Sequence, residues 1–287
     1  MRQLLRIHVI LHRALARALD HDVLNLAQSA AYSAMVALFP ALIVAAAIIA
    51  LLPGTAPVRS QLGAFFDRVL PPDVPPLLES YFNTHSAKSA QALILAFLVS
   101  ITGASSVIVT YMEGFRRANN LPSDCWTFWG RRARAYAMVP LSLVPLGIAS
   151  TLVVFGHFIT VWLALHVMPS IRTEVYVIAL MIRWLVALAG CVGIIALIYH
   201  MGTPIRQPWR RVLPGAVAAT AMWFLTTLIF GWYVTRFANY TQVYGSLGAG
   251  IALLFWLYIV SLCVFFGAEF NHEFHLHGHS QGAALTP

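Results

Sequence analysis

Residues 237–268 read FANYTQVYGSLGAGIALLFWLYIVSLCVFFGA, 32 positions without an Asp, Glu, Lys or Arg. A helix of about 20 apolar residues crosses a hydrocarbon core roughly 30 Å thick. It also satisfies its own backbone donors and acceptors, which any lipid-exposed segment must do. The same absence of charge recurs at 23–58, 89–112, 135–171, 184–205 and 212–235, so that six uncharged runs cover more than half of the 287 residues. Hydrophobic residues make up 60% of the chain and charged residues 10%, against the ~25% charged residues of an ordinary soluble domain. These features predict an all-α integral membrane protein, a bundle of six transmembrane helices at about 30–52, 92–112, 135–160, 175–200, 212–234 and 246–270.

Charge distribution predicts the orientation. Arg2, Arg6, Arg13 and Arg17 precede the first span. Arg116, Arg117, Arg131, Arg132 and Arg134 fall in the second link, and Arg206, Arg210 and Arg211 in the fourth. These alternate segments hold twelve basic residues against five on the other side (Arg59, Arg68, Lys88, Arg172 and Arg236). Lys and Arg are retained on the cytoplasmic side during insertion, so both termini are expected in the cytoplasm. The net charge of +8 is accounted for by this asymmetry, without a nucleic-acid partner. The segment 1–22 lacks the compact apolar core and small-residue cleavage site of a signal peptide, so the first span is expected to serve as its own insertion signal. Cys125, Cys191 and Cys263 offer no disulfide framework and no Cys/His metal spacing.

Segments outside the spans carry their own patterns. Residues 1–24 form an amphipathic segment in which Arg2, Arg6, Arg13 and Arg17 fall within about 60° of one another, opposite Leu4, Leu11, Leu15 and Leu19. Such a helix suits the headgroup layer, or packs against the protein's own links. The link 53–91 contains Pro53, Pro57, Pro71, Pro72, Pro75 and Pro76 and is predicted as two short amphipathic outer helices. The 37-residue run 135–171 would be about 55 Å long as one helix, so it must kink, overshoot or include a re-entrant piece. The membrane domain is bounded at 25–271, with 272–287 as a disordered tail containing His272, His275, His277 and His279. That tail lacks the HExxH spacing, and no metal or cofactor site is expected.

Candidate functional residues are those whose polarity is costly in lipid. Arg183 lies in the fourth span, either facing an internal cavity or snorkelling at the outer interface. Glu113 and Glu269 stand at span ends, either in ion pairs with nearby arginines or as a proton or cation site. Ser105 and Ser106 belong to a hydroxyl-rich stretch with Ser100, Thr102, Gly103 and Thr110, which either packs helices closely or lines a polar pathway. No nucleophile elbow, phosphate loop or dinucleotide fingerprint is present, so no enzyme is expected.

Three groups of residues together resemble the YihY/virulence factor BrkB family of bacterial inner-membrane proteins. They are Ala30-Ala-Tyr-Ser-Ala-Met-Val-Ala-Leu-Phe-Pro40; Pro204 and Trp209 with Leu213-Pro-Gly-Ala216 and Trp223; and Phe237-Ala-Asn-Tyr240 with Tyr244-Gly-Ser-Leu247, Trp256-Leu-Tyr258 and Gly267-Ala-Glu269. Tyr32, Pro40, Asn239, Tyr244, Gly245 and Glu269 match signature positions. The resemblance implies six spans and a link to envelope lipid or lipopolysaccharide export. Its members once carried a ribonuclease BN label, for which this chain shows no nuclease constellation. The function expected is that of a transporter of an envelope lipid or other amphipathic substrate, with membrane lipids and envelope-assembly proteins as partners. The alternatives are a non-transporting scaffold and a membrane ribonuclease.

Overall fold

The computed structural model describes residues 2–51, 87–145, 172–205, 207–237 and 246–282. Among the described residues there are seven helices and no strand: α1 (Arg2–Asp20), α2 (Val23–Leu51), α3 (Ala87–Ala118), α4 (128–145), α5 (Arg172–Gly202), α6 (Trp209–Phe237) and α7 (Ser246–Gly282). Five of them carry stretches long and apolar enough to cross a membrane: Val23–Ala45, Ala90–Ala118, Thr173–Gly202, Trp209–Val234 and Gly250–Leu276. The expected third span, 135–160, is represented by α4 as far as 145. The outer link to residue 86, residues 146–171, and the candidates Asn239 and Tyr244 lie outside the described residues.

The helices run past the spans read from hydropathy. α3 continues to Ala118 and α7 to Gly282, whereas hydropathy predicts ends at 112 and 270. The reason is electrostatic: the charges that end an apolar run here find partners at helical spacing. Glu113 meets Arg116 and Arg117 one turn on, pairs that favour the helix. The segment from His272, expected to be disordered, is helical through Gly282, and its first turn is held by Glu273 and His275. Two helices stop at residues with left-handed backbone. Asp22 (φ 61°) separates α1 from α2, and Asn120 (φ 52°) ends α3, where Leu121 N–H closes back on the Arg116 carbonyl at 3.0 Å. Asn and Asp tolerate this conformation better than other residues with side chains.

The chain divides into two compact units. The first comprises Met1–Val23, Met112–Trp223 and Cys263–Pro287. Its apolar centre is Phe115, whose ring meets Tyr199 edge-on at 5.0 Å and Phe265 at 6.4 Å. Gly114 admits the Phe265 ring where a Cβ would overlap it. α6 and α7 approach closely at Gly215 and Gly267; a Cβ on Gly267 would stand 2.6 Å from Ala219 Cβ and 2.7 Å from the Gly215 carbonyl oxygen. The second unit comprises Leu24–Tyr111 and Phe224–Leu262. There α2 and α3 meet at Ala37 and Gly103. The Tyr111 and Ser261 hydroxyls pair at 3.2 Å, and Trp256 Nε1 donates to Thr227 Oγ1 at 3.4 Å.

Candidate functional site

In the first unit, α1 presents Ile10, Ala14 and Ala18 to the interior, all buried. The one-turn spacing and small alanines let the helix seat closely. This seating brings Arg17 and His21 inward beside α7. Arg17 donates Nε to Glu269 Oε2 at 3.2 Å, Nη1 to Glu273 Oε1 at 3.2 Å and Nη2 to the Ala118 carbonyl at 2.8 Å. His21 Nδ1 lies 2.6 Å from Glu269 Oε1. The side chains of Glu269 and Glu273 are 1% and 7% exposed. One guanidinium therefore neutralises two buried carboxylates and takes up a carbonyl at the end of α3. A planar fork of five donors is suited to this where an ammonium is not.

A second cluster adjoins it. Glu113 accepts from Arg116 at 2.6 Å, Arg117 at 3.2 Å and Arg131 at 3.4 Å. Arg117 also donates to the His21 carbonyl at 3.1 Å. Of the two expectations for Glu113 and Glu269, ion pairing describes the geometry of both. Arg17, assigned by its angular position to the basic outer face of α1, instead turns inward. The unfavourable burial of Glu269 and Glu273 gives it a stronger partner than headgroups or water.

The same end of α7 also bonds to the first turns of α6, on either side of its internal proline. Pro214 lies inside α6 and prevents a regular hydrogen-bond ladder. The Gly215 amide donates to Asn271 Oδ1 at 3.2 Å, and the Arg211 carbonyl lies 2.7 Å from His275 Nε2. Asn271 and His275, one turn apart on α7, engage both. The segments Leu213–Ala216 and Gly267–Glu269, far apart in the chain, thus meet at one helix crossing. Beside this crossing is a cavity of about 370 Å³ with Asn119, Gln207, Arg211, Asn271, His272 and His275 in its wall.

In the second unit a cleft of about 430 Å³ is lined by Tyr32, Ser33 and Val36 of α2 and by Leu98, Val99, Thr102, Gly103 and Ser106 of α3. Tyr32 is 68% exposed. Ser106 Oγ donates to the Thr102 carbonyl at 2.9 Å, and the buried Ser105 does the same at 2.8 Å. These bonds to the helix's own backbone offset the cost of a hydroxyl in an apolar span while leaving its oxygen as an acceptor. Ser106 and Tyr32 thus share one cleft; Ser105 does not line it.

Arg183 stands apart from the charged clusters of the first unit. Its guanidinium carbon is 5.9 Å from the Trp184 ring centre. Its helix ends at Gly202, and the distance between the two along the axis is about 28 Å, close to the thickness of a hydrocarbon core. Arg17, His21, Glu273 and Asn271 were not among the residues singled out. Two signals for them are present in the sequence: Arg17 and His21 are one turn apart, and so are Glu269 and Glu273. Among the described residues, no three His, Cys, Asp or Glu side chains come together as a metal site.

A family model described as virulence factor BrkB matches residues 14–285. A UPF0761 membrane protein of Alteromonas mediterranea is 27% identical over 246 residues, which is 84% of this chain and 79% of that one. One from Tolumonas auensis is 25% identical over 258 residues, covering 89% and 82%. The ribonuclease-like protein YfkH of Bacillus subtilis (strain 168) is 35% identical over 94 residues, covering 33% of this chain and 34% of YfkH. No solved structure matches.

Proposed function

This chain belongs to the virulence factor BrkB family of membrane proteins, and we propose that it moves, or helps to move, an amphipathic envelope lipid. The observation that carries the reading is the cleft between α2 and α3. One part of its lining is hydroxyl-bearing (Tyr32, Ser33, Thr102, Ser106) and another is aliphatic (Val36, Leu98, Val99). Such a surface offers hydrogen bonds to a headgroup while the acyl chains stay in lipid. Along α3 the lining runs from Ser106 back to Leu98. These positions straddle the middle of the apolar stretch Ala90–Ala118. The ribonuclease-like name belongs to a relative matched over a third of this chain, and the clusters described here are ion pairs rather than a nuclease centre; the reading is therefore of a non-enzyme.

The proposal includes six crossings in the bacterial inner membrane, with both termini cytoplasmic. Within the first unit, the end of α3, the start of α4, the end of α5, the start of α6 and the end of α7 gather together. The bonds Arg131–Glu113, Tyr199–Val264 and Gly215–Asn271 join them. α4 leaves this end and is followed as far as residue 145, and α5 comes back to it at Gly202. That parity supports a sixth crossing begun by α4. The arginine-rich segments around this end support its cytoplasmic placement.

The test is a flipping assay in proteoliposomes, with tail-labelled phosphatidylethanolamine, phosphatidylglycerol or cardiolipin and a membrane-impermeant quencher. The protein should accelerate exchange over empty vesicles for at least one of these lipids. Thr102→Leu and Ser106→Leu, which keep the helix and fill the cleft, should slow it at least fivefold. No acceleration for any of the three lipids would overturn the reading. Unchanged flipping by both variants would remove the cleft from it and leave a scaffold role elsewhere to be considered.

A further inference from the structure

We infer that the cavity beside the α6–α7 crossing in the first unit is a binding site for a phosphate group. Its volume, about 370 Å³, is roughly twelve times the ~30 Å³ that one water occupies in the liquid. That leaves room for a phosphate ester with its first substituent. Among the described residues no carboxylate lines it. The acidic residues on the same stretch of α7, Glu269 and Glu273, are turned to Arg17 and neutralised there.

What the wall offers is donors. The Gly215 amide must meet an acceptor, so Oδ1 of Asn271 faces α6, and the amide nitrogen of Asn271 is left as a donor. Asn119 is already committed: its Nδ2 donates to the Phe115 carbonyl at 2.8 Å, and its Oδ1 receives Gln207 Nε2 at 3.0 Å. Arg211 supplies the positive charge. Its backbone carbonyl is engaged with His275, and among the described residues no carboxylate pairs with its guanidinium. It lies in the first turn of α6, which begins at Trp209, so the positive end of the helix dipole adds to the field. His272 completes the polar lining. A guanidinium fork, an amide donor and a helix start without a competing anion recognise phosphate oxygens bidentately. The site lies where α7 passes out of its apolar run and α6 enters one, a depth at which basic pockets between helices take lipid headgroups. The chemistry is shared by a phospholipid headgroup and a free phosphate. The inference is independent of whether the α2–α3 cleft moves lipid.

Binding is measured on the full-length protein in a non-ionic detergent, by titration calorimetry. One arm uses dihexanoyl phosphatidylglycerol below its micelle concentration, and the other inorganic phosphate. Saturable binding in either arm is expected. Affinity at least tenfold higher for the lipid identifies a headgroup site; comparable affinities identify a site for phosphate itself. Arg211→Gln should weaken binding at least tenfold, whereas Arg210→Gln, the same charge change on a neighbour that is exposed like Arg211 but lies outside the lining, should stay within threefold. Asn271→Asp keeps an acceptor for the Gly215 amide and replaces the donor with a carboxylate. It should abolish binding in a protein that still elutes as a single peak, which guards against Arg211→Gln acting through misfolding. Failure of both probes to saturate, equal weakening by the Arg210 and Arg211 variants, or full binding by Asn271→Asp would each overturn the assignment.

Discussion

Replacing Arg17 with Ala should destabilise the protein more than any other substitution on α1. The guanidinium makes three hydrogen bonds, two of them to carboxylates that are 1% and 7% exposed. Its removal leaves Glu269 with His21 alone. It also removes the ion pair of Glu273 and an acceptor's partner at the end of α3. Breaking a buried ion pair by deleting one member costs about 3–5 kcal/mol, because the remaining charge stays buried. The Arg17 side chain is 20% exposed, so water reaches the site once it is gone and the lower figure, about 3 kcal/mol, applies. At about 2–4 °C per kcal/mol for a chain of this size, the midpoint should fall by roughly 6–12 °C. The assay is thermal stability by fluorescence-detected size exclusion, with Arg13→Ala as the comparison. Arg13 lies on the exposed flank of α1, where a substitution should cost under about 1 kcal/mol. Adding Glu269→Gln and Glu273→Gln to Arg17→Ala should restore part of the loss, since the stranded charges are then removed. The reasoning is refuted if Arg17→Ala melts with Arg13→Ala, or if the added substitutions lower the midpoint by as much as they do alone.

Other substitutions test the packing around that end. Gly267→Ala should cost about 1–3 kcal/mol, because its Cβ would press on Ala219 and the Gly215 carbonyl; Gly231→Ala, with nothing within 4 Å, should be neutral or mildly stabilising in the same melting assay. Phe115→Ala should cost about 3–5 kcal/mol, seen as loss of the monodisperse peak or a melting point well below that of Gly231→Ala. Asn271→Ala leaves the Gly215 amide without its cross-helix acceptor and should cost about 1–2 kcal/mol; Asn271→Ser, read on the same melting curves, should recover part of that. Arg183→Gln, some 19 residues along α5 from its Gly202 end, should cost less than about 1 kcal/mol and leave flipping unchanged.

The apolar helices were legible in the sequence because a charge-free run long enough to cross a bilayer has one physical meaning. Their ends were not. A charged residue marks the end of a span only if it needs water, and Glu113, Arg116, Glu269 and Glu273 each find a protein partner instead. The Glu113 pairs are local, at i+3 and i+4, and the sequence already placed this carboxylate beside its arginines. The partner of Glu269 lies 252 positions away, and no local pattern specifies it. The cleft was half legible: Tyr32 and Ser106 were candidates on separate grounds, but only the meeting of α2 and α3 puts them on one surface. The cavity beside Arg211 was not legible at all. It requires Pro214 on one helix and the spacing of Asn271 and His275 on another to be read together.

The same geometry accounts for the second expectation for α1, packing against the protein itself. At 100° per residue, the buried stripe Ile10, Ala14 and Ala18 lies between two others. On one side are Leu11, Leu15 and Leu19, all exposed; on the other are Arg13 and Arg17. A helix with a single apolar face must choose between lipid and protein. This one has an apolar stripe in contact with protein, flanked by a second that stays exposed among the described residues. Arg17 lies nearer the buried face than Arg13, which is why it turns inward to Glu269. The contact with α7 therefore uses the basic edge of the buried stripe and leaves the leucine edge out of it.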